Sequence, residues 1–314
     1  MPAQFVPYLV GLVQGVFVSA TSFERQFGYS HDGITRSLVK RFSWECWIIG
    51  VIQRLFGILS GGYLILDDTV IAKPYARKME GASFVHSSVL NRTVYGYNVV
   101  FLCWSNGTIT IPLAWKWYQP NSKTKIDLAL ELLATAKRRW KMTPDYVLFD
   151  KFYGADRILN TLHAYHWKFV AQLKCNRIIN AAPIREDLVD DGDTTVGWVT
   201  DQVKVSIIKH DEKYFFTNDP HLSVYDLPKI YRHRWPIEEV FRFLKTELRL
   251  EHCQARTRQA QKTHLVSCVV LYLIFQKEQQ IKKKETIYAT RRLWQMNRRL
   301  GRNQINHYVK VLSA

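Results

Sequence analysis

The sequence has 314 residues, of which 47% are hydrophobic and 13% aromatic, a composition typical of a folded protein with a sizeable core. Lysine and arginine outnumber aspartate and glutamate by 44 to 27, and the net charge of +17 favours a polyanionic partner, usually nucleic acid. Five cysteines without a CxxC pair argue against a disulfide framework or a structural zinc site. The longest apolar run, Val266–Phe275, is too short to span a bilayer. We therefore expect a cytoplasmic protein without a membrane partner.

The first half of the chain predicts helices followed by an α/β pattern. Residues 1–60 carry apolar side chains at helical spacing, and the apolar run Tyr63–Val70 then predicts a buried strand that ends in two acids. Asn106-Gly107 lies between two apolar stretches and predicts a β-hairpin. Asn121-Ser122 is expected to cap the next helix. The run Asp145–Asp150 predicts a second buried strand that ends in an acid.

The second half changes character twice. Residues 178–222 contain an acidic loop and alternating strands, which predict a β insertion, and the following residues are helical again. From residue 277 to the end, ten Lys or Arg face two Glu, so a basic helical tail either binds phosphates or is simply solvated. The expected parts are a helical N-terminal region, the first part of an α/β core, the insertion, the last part of the core and the basic tail: 1–60, 61–177, 178–222, 223–276 and 277–314.

Four polar residues share one face of a predicted helix. Tyr231, Arg234, Glu238 and Lys245 fall within a stripe roughly 60° wide when residues advance by about 100° each. Ile237, Val240, Phe241, Leu244 and Leu248 occupy another, apolar face. Pro236 is suited to the first turn of the helix, where no N–H partner is needed. A surface helix with ordinary charge pairing remains the alternative to a functional stripe.

Three acids together indicate a metal site. If the strands that carry Asp67 and Asp150 are neighbours in one sheet, their carboxylates meet at its edge, and the helix supplies Glu238. Such carboxylates repel one another unless cations bind between them, and oxygen ligands favour Mg²⁺ or Mn²⁺. Two such ions can activate a water or a 3′-hydroxyl and stabilise the leaving oxygen of a phosphodiester. The positive charge of the chain points to DNA or RNA as the substrate.

These motifs resemble those of the DDE-type transposases of bacterial insertion sequences. Tyr231, Arg234, Glu238 and Lys245 match the Tyr-x2-Arg-x3-Glu-x6-Lys signature without a gap. Leu66-Asp-Asp-Thr69 is similar to the first-aspartate motif, and Val147–Gly154 is similar to the second. The resemblance covers roughly residues 60–275. The region before Asp67 is shorter than the family's, so we expect a reduced end-recognition domain.

The resemblance implies an RNase H-like catalytic core, a mixed sheet flanked by helices. It also implies that the catalytic, metal-binding acids are Asp67, Asp150 and Glu238, with Asp68 and Glu239 as rivals. Two Mg²⁺ or Mn²⁺ ions are the expected cofactors. The family roles of the remaining residues imply DNA contacts for Tyr231, Arg234 and Lys245, and Trp198 is the insertion-domain aromatic that would stack on an unpaired base. Packing within a hairpin is the alternative for Trp198.

The resemblance thus implies a cut-and-paste DNA transposase. It would act in the bacterial cytoplasm at the nucleoid, bind terminal inverted repeats and target DNA, and form a homodimer on DNA. Two alternatives stay open. One is a nuclease that cuts without strand transfer, and the other is a domesticated, non-catalytic DNA-binding protein derived from a transposase.

Overall fold

The computed structural model describes residues 5–15, 20–28, 30–76, 78–87, 90–282 and 286–313. The strands in these residues are β1 (Tyr63–Ala72), β2 (Ser83–Ser87), β3 (Arg92–Ser105), β4 (Thr110–Trp117), β5 (Tyr146–Phe149), β6 (Phe169–Leu173), β7 (Ile178–Ile179), β8 (Ala182–Pro183), β9 (Thr194–Trp198), β10 (Lys204–His210) and β11 (Lys213–Thr217). The α-helices are α1 (Phe5–Val13), α2 (Ala20–Phe27), α3 (His31–Val39), α4 (Trp44–Phe56), α5 (Lys125–Ala134), α6 (Asp156–Ala164), α7 (Ile184–Asp187), α8 (Leu227–Tyr231), α9 (Pro236–Thr246), α10 (Arg258–Lys282), α11 (Ile287–Met296) and α12 (Arg298–Ser313).

The chain divides into two compact units. The helical unit comprises Met1–Ile58, Val70–Asn98 and Glu239–Ala314, and the sheet unit comprises Leu59–Thr69 and Val99–Glu238. The unit boundaries fall within β1, β3 and α9, so these three elements contribute residues to both units.

The sheet unit contains a mixed sheet in the order β4-β3-β1-β5-β6-β11-β10-β9. β3 and β4 form the antiparallel hairpin that Asn106-Gly107 predicts, and Gly107 has the positive φ of +87° that such a turn favours. β1 pairs in parallel with β5, and β5 in parallel with β6. Leu64–Leu66 and Val147–Phe149 are fully buried, as expected of central parallel strands covered on both faces.

The predicted β insertion extends this sheet. β11 pairs antiparallel with β6, β10 with β11, and β9 with β10. Residues 178–187 form the small β7–β8 hairpin and the one-turn helix α7. Strands of the 178–222 segment therefore continue the sheet beyond β6, and the region is not a separate layer.

In the helical unit, α10 is the central element. Its segment from Leu265 to Phe275 is almost entirely buried and packs against α1, α3, α4 and α11. The basic tail forms α11 and α12, whose apolar side chains Trp294, Ile305 and Leu312 are buried. None of the described helices has both the length and the apolar composition of a bilayer-spanning segment.

A buried polar cluster links three segments of the helical unit. The Tyr8 hydroxyl donates to His264 Nδ1 at 2.8 Å, and His264 Nε2–H donates to the Arg249 carbonyl at 3.2 Å. Lys73, 4% exposed, donates to the carbonyls of Glu251 at 2.8 Å and Cys253 at 3.1 Å. Burial lowers the pKa of His264 to about 3 and lowers the pKa of Lys73. Backbone carbonyls and one hydroxyl thus satisfy these polar groups.

Candidate active site

Two of the predicted acids lie next to each other on neighbouring strands. The last residue pair between β1 and β5 is Leu66 with Phe149. Asp67 directly follows Leu66 in β1, and Asp150 directly follows the end of β5. Parallel neighbours lie about 4.8 Å apart across a sheet, which brings the two carboxylates to one edge. Asp150 Oδ1 also accepts the backbone N–H of Phe152 at 2.9 Å, which fixes the turn into α6.

The prediction that the first strand ends at its acids is wrong. β1 continues through Asp67 and Asp68 to Ala72. What ends at Leu66 is the pairing with β5, because the chain leaves the sheet after Phe149 to enter α6. Asp67 therefore projects from a strand that β3 supports on its other side.

Asp67 and Asp68 have different partners because consecutive strand residues point to opposite faces of a sheet. Asp68 accepts a hydrogen bond from the Tyr153 hydroxyl at 2.9 Å and pairs with Lys125 Nζ at 2.8 Å. Asp67 instead faces Arg234. These partners distinguish the two rivals for the first position: Asp68 is held in a network of its own, and Asp67 lies on the side of the signature helix.

Arg234 bridges two of the three predicted acids. Its Nη1 lies 2.5 Å from Asp67 Oδ2, and its Nη2 lies 2.5 Å from Glu238 Oε1. Glu238 is in the first turn of α9, which begins at Pro236 as predicted. The stripe is not one uninterrupted α-helix, because a 3₁₀ turn, Arg232–Arg234, separates α8 from α9. That turn still leaves Arg234 and Glu238 close enough to share one ion-paired network with Asp67.

Burial and neighbouring charges shift the pKa values of the residues at this edge. Burial, helped by the negative charges of Asp150 and Asp68, raises the pKa of Asp67 to about 7 despite the opposing effect of Arg234. Burial also raises the pKa of Asp150. Burial opposes ionisation of Arg234, but Asp67 and Glu238 hold its pKa above the ordinary value. Carboxylate oxygens are the donors that hard divalent ions prefer, so the residue types fit such an ion, and in this structure Arg234 supplies the positive charge beside Asp67 and Glu238.

Two buried donors at this site have no hydrogen-bond partner. They are the Tyr231 hydroxyl and Arg234 Nε. The Arg234 guanidinium lies 5.6 Å from the centroid of the Tyr231 ring, and the Phe215 ring packs edge-on at 5.2 Å. Burial raises the pKa of Tyr231, so the hydroxyl keeps its proton. Unpaired buried donors are costly in a finished protein interior, and an acceptor-only group such as a phosphate oxygen would satisfy them.

The remaining two site residues lie elsewhere. Lys245 belongs to the helical unit, where its Nζ is 3.7 Å from Glu251 and burial lowers its pKa. Trp198 is the last residue of β9 and is 54% exposed, so most of its ring surface is not used in packing. Glu239, the rival of Glu238, is an exposed residue of the helical unit.

A second acidic group lies at the far end of the sheet. Asp191, His210 and Asp211 each offer a ligand atom within 4.8 Å of the others, and in the described part of the chain no other group meets this criterion. Both aspartates are exposed: Asp211 lies in the turn between β10 and β11, and Asp191 lies in the loop between α7 and β9. Asp67, Asp150 and Glu238 do not form such a group in this structure, where the Arg234 guanidinium lies between Asp67 and Glu238.

The sequence interpretation did not single out Lys125 or Tyr153, which hold Asp68. Tyr153 lies inside the second-aspartate motif, three residues after Asp150, so the motif itself carried a signal for it. Lys125 lies in the first turn of α5, 57 residues from its partner, and no local pattern marks it.

Comparisons with known proteins show the family and the fold of the chain. Residues 62–274 match the family described as the transposase DDE domain. No curated protein matches the chain. Among solved structures, a cryo-EM structure of the piggyBac transposase synaptic complex with hairpin DNA is similar, with a TM-score of 0.60 over 97% of this chain and 71% of that chain. At 11% identity this likeness shows a shared fold, a mixed sheet flanked by helices.

Proposed function

Because the chain belongs to the transposase DDE-domain family, we propose that it cleaves DNA at the ends of an insertion sequence and transfers the freed 3′ ends into target DNA by cut-and-paste. The observation that carries this proposal is the edge of the sheet where Asp67 and Asp150 follow paired residues and Arg234 joins Asp67 to Glu238. The bacterial origin and the Tyr-x2-Arg-x3-Glu-x6-Lys subgroup are part of the proposal, since they rest on the signature at residues 231–245.

We infer that the sheet unit has an RNase H-like core. Three strands, β4-β3-β1, are followed by β5 and β6, and β1, β5 and β6 are parallel. One acid comes from the first strand of the core and one from the end of β5, while the third comes from a later helix. That distribution supports the core assignment because it brings distant parts of the sequence to one edge.

We propose that Asp67, Asp150 and Glu238 hold two Mg²⁺ or Mn²⁺ ions. Bound there, the ions would supply an activated water or 3′-hydroxyl and stabilise the leaving oxygen. Arg234 now neutralises Asp67 and Glu238, so metal binding requires the guanidinium to turn away from them. Asp68, held by Lys125 and Tyr153, fixes the strand that orients Asp67.

Arg234, Tyr231, Lys245 and Trp198 are the proposed DNA contacts. Arg234 and Tyr231 have the buried donors without partners that a phosphate would satisfy, and a cation beside the acids would position that phosphate. The exposed ring of Trp198 is available for stacking on an unpaired base. Lys245 takes its role from the signature alone. We also propose a homodimer on DNA and a place of action at the bacterial nucleoid.

The test uses duplex DNA with the terminal inverted repeats of the element that encodes the chain. With Mg²⁺ or Mn²⁺, the protein is expected to cut at the ends and to join pre-cleaved 3′ ends to a target duplex. Substitution of Asp67, Asp150 or Glu238 by Ala is expected to lower both reactions by at least about a hundredfold and to leave DNA binding in place. Asp191→Ala, a change of an exposed acid outside this edge, is the matched control.

Each alternative function gives a distinct result in the same assay. Cleavage without any joined product would identify a nuclease without strand transfer. Binding without metal-dependent cleavage by the parent protein would identify a non-catalytic, domesticated DNA-binding protein.

A further inference from the structure

A cavity of about 420 Å³ opens beside Asp150, at the ends of β5 and β6. Its wall comes from the β5–α6 loop, the first turn of α6 and the segment after β6. Four lining residues are basic and one is acidic: Lys151, Arg157, Lys174 and Arg177, against Asp156. We call this cavity the basic cleft. Its volume lies in the range of sites that hold groups as large as a nucleotide.

Two of the four basic side chains, Arg177 and Arg157, form ion pairs or hydrogen bonds within the protein. The Arg177 guanidinium donates to the Asp156 carboxylate and to the Val199 carbonyl. Arg157 pairs with Asp127 at 2.6 Å. The one acidic side chain of the basic cleft is thereby neutralised, and Arg177 becomes a fixed part of the wall.

The other two cations, Lys151 and Lys174, differ from these. Lys151 and Lys174 are exposed, and neither has an ion-pair partner in the part of the chain that the structure describes. Phe152, 42% exposed, lies beside Lys151 in the same loop. Two unpaired ammonium groups at the mouth of a cavity attract an anion, and a neutralised wall does not repel it.

The loop after Trp198 is fastened to the same wall. Arg177 reaches the Val199 carbonyl, and the Thr200 hydroxyl donates to Asn160 Oδ1 on α6 at 2.6 Å. The exposed Trp198 ring is therefore attached, one residue away, to a loop that is anchored at the basic cleft.

We propose that the basic cleft binds the phosphodiester backbone of the DNA strand next to the phosphate that is cleaved. This inference rests on the proposed function, which places the cleaved phosphate at Asp67, Asp150 and Glu238. Lys151 directly follows Asp150, and consecutive Cα atoms are about 3.8 Å apart. Successive phosphates of one strand advance about 3.4 Å along a duplex. These spacings are similar, so a phosphate next to one held at Asp150 can reach Lys151, and the same cavity extends to Lys174.

The test measures how DNA affinity depends on salt, because the slope of log K against log salt falls by about 0.9 for each phosphate that the protein no longer neutralises. The probe is a duplex oligonucleotide of mixed sequence, followed by fluorescence anisotropy. The double variant Lys151→Glu/Lys174→Glu is expected to bind more weakly, with a slope smaller by about 1.8. The control is Lys141→Glu/Lys213→Glu, which makes the same charge change at two exposed lysines outside the basic cleft and is expected to keep the parent slope.

Equal slopes for the parent and the cleft variant, or equal decreases in the cleft and control variants, would overturn the inference. Thermal unfolding checks that each variant is folded, and Lys151→Gln/Lys174→Gln replaces the Glu pair if that pair destabilises the protein. The two proposals fail in different ways. A parent that never cleaves DNA, with a reduced slope in the cleft variant, overturns the proposed function and leaves the basic cleft as a site for DNA phosphates. A parent that cleaves, with a cleft variant that keeps the slope, overturns the cleft inference alone.

Discussion

The chain contains two buried polar clusters that differ in how their hydrogen bonds are satisfied. In the helical unit, Tyr8, His264 and Lys73 each have partners within the protein. In the sheet unit, the cluster around Asp67 and Arg234 leaves a tyrosine hydroxyl and a guanidinium N–H without partners. A cluster that only holds the fold together satisfies its own groups, since an unmade hydrogen bond in the interior costs about 1–3 kcal/mol.

The two clusters also differ in the charges that they contain. Around His264 burial removes charge: its pKa falls to about 3, so the ring is neutral at pH 7. Around Asp67 several acids lie close together: Asp150 and Asp68 are nearby, Arg234 pairs with Asp67, and Lys125 pairs with Asp68. Glu238, at the rim, keeps 44% of its side chain exposed. The second cluster is thus both incomplete and accessible, which is typical of a site that binds a substrate or an ion.

The largest expected effect comes from removing the arginine of the incomplete cluster. Arg234→Gln is expected to lower metal-dependent cleavage by about 10²–10³-fold, because the cation that positions the phosphate is removed. The same change is expected to shift the free energy of unfolding by less than about 1 kcal/mol, because Asp67 can take up a proton when its partner is removed.

Arg232→Gln is the matched control for this variant, because Arg232 lies in the same 3₁₀ turn but is exposed. Single-turnover cleavage kinetics and chemical unfolding measure the two quantities. A strongly destabilised Arg234→Gln with normal cleavage would show that Arg234 has a structural role.

For the cluster of Tyr8, His264 and Lys73, we expect a substitution to lower stability and to leave cleavage unchanged. Lys73→Met keeps much of the apolar stem but leaves the carbonyls of Glu251 and Cys253 without their donor. The free energy of unfolding is expected to fall by roughly 2–3 kcal/mol, with cleavage per folded molecule unchanged. Chemical unfolding compares this variant with Lys78→Met, a change of an exposed lysine. An unchanged stability would contradict the structural role of Lys73.

The sequence predicted those features of the fold that depend on local patterns. Asn106-Gly107 predicted the β3–β4 hairpin, and Pro236 predicted the start of α9. Local sequence patterns gave wrong predictions where contacts with distant residues determine the structure. α5 is capped by Thr124, whose hydroxyl accepts the N–H of Asp127, instead of by Asn121-Ser122.

Pairing with distant strands also set the length of β1. Two adjacent aspartates disfavour a strand, yet β1 continues through them because β3 remains its neighbour in the sheet after the pairing with β5 has ended. At the site, too, local patterns were predictable and long-range contacts were not. The order and spacing of Asp67, Asp150 and Glu238 were visible in the sequence, whereas the bridge by Arg234 and the network of Lys125, Tyr153 and Asp68 depend on contacts over long chain distances.

The central claim is that Asp67, Asp150 and Glu238 hold divalent ions, and calorimetric titration with Mn²⁺ tests it most directly. A carboxylate must lose its proton to bind a metal, and the pKa of Asp67 is about 7, so affinity should fall as the pH drops below that value. We expect roughly tenfold weaker binding at pH 6 than at pH 8, two ions bound per chain, and loss of binding in Asp67→Asn. Asp191→Asn, in the exposed acidic group, should bind as the parent does. Unchanged Mn²⁺ binding in Asp67→Asn, or loss of binding in Asp191→Asn, would contradict the account.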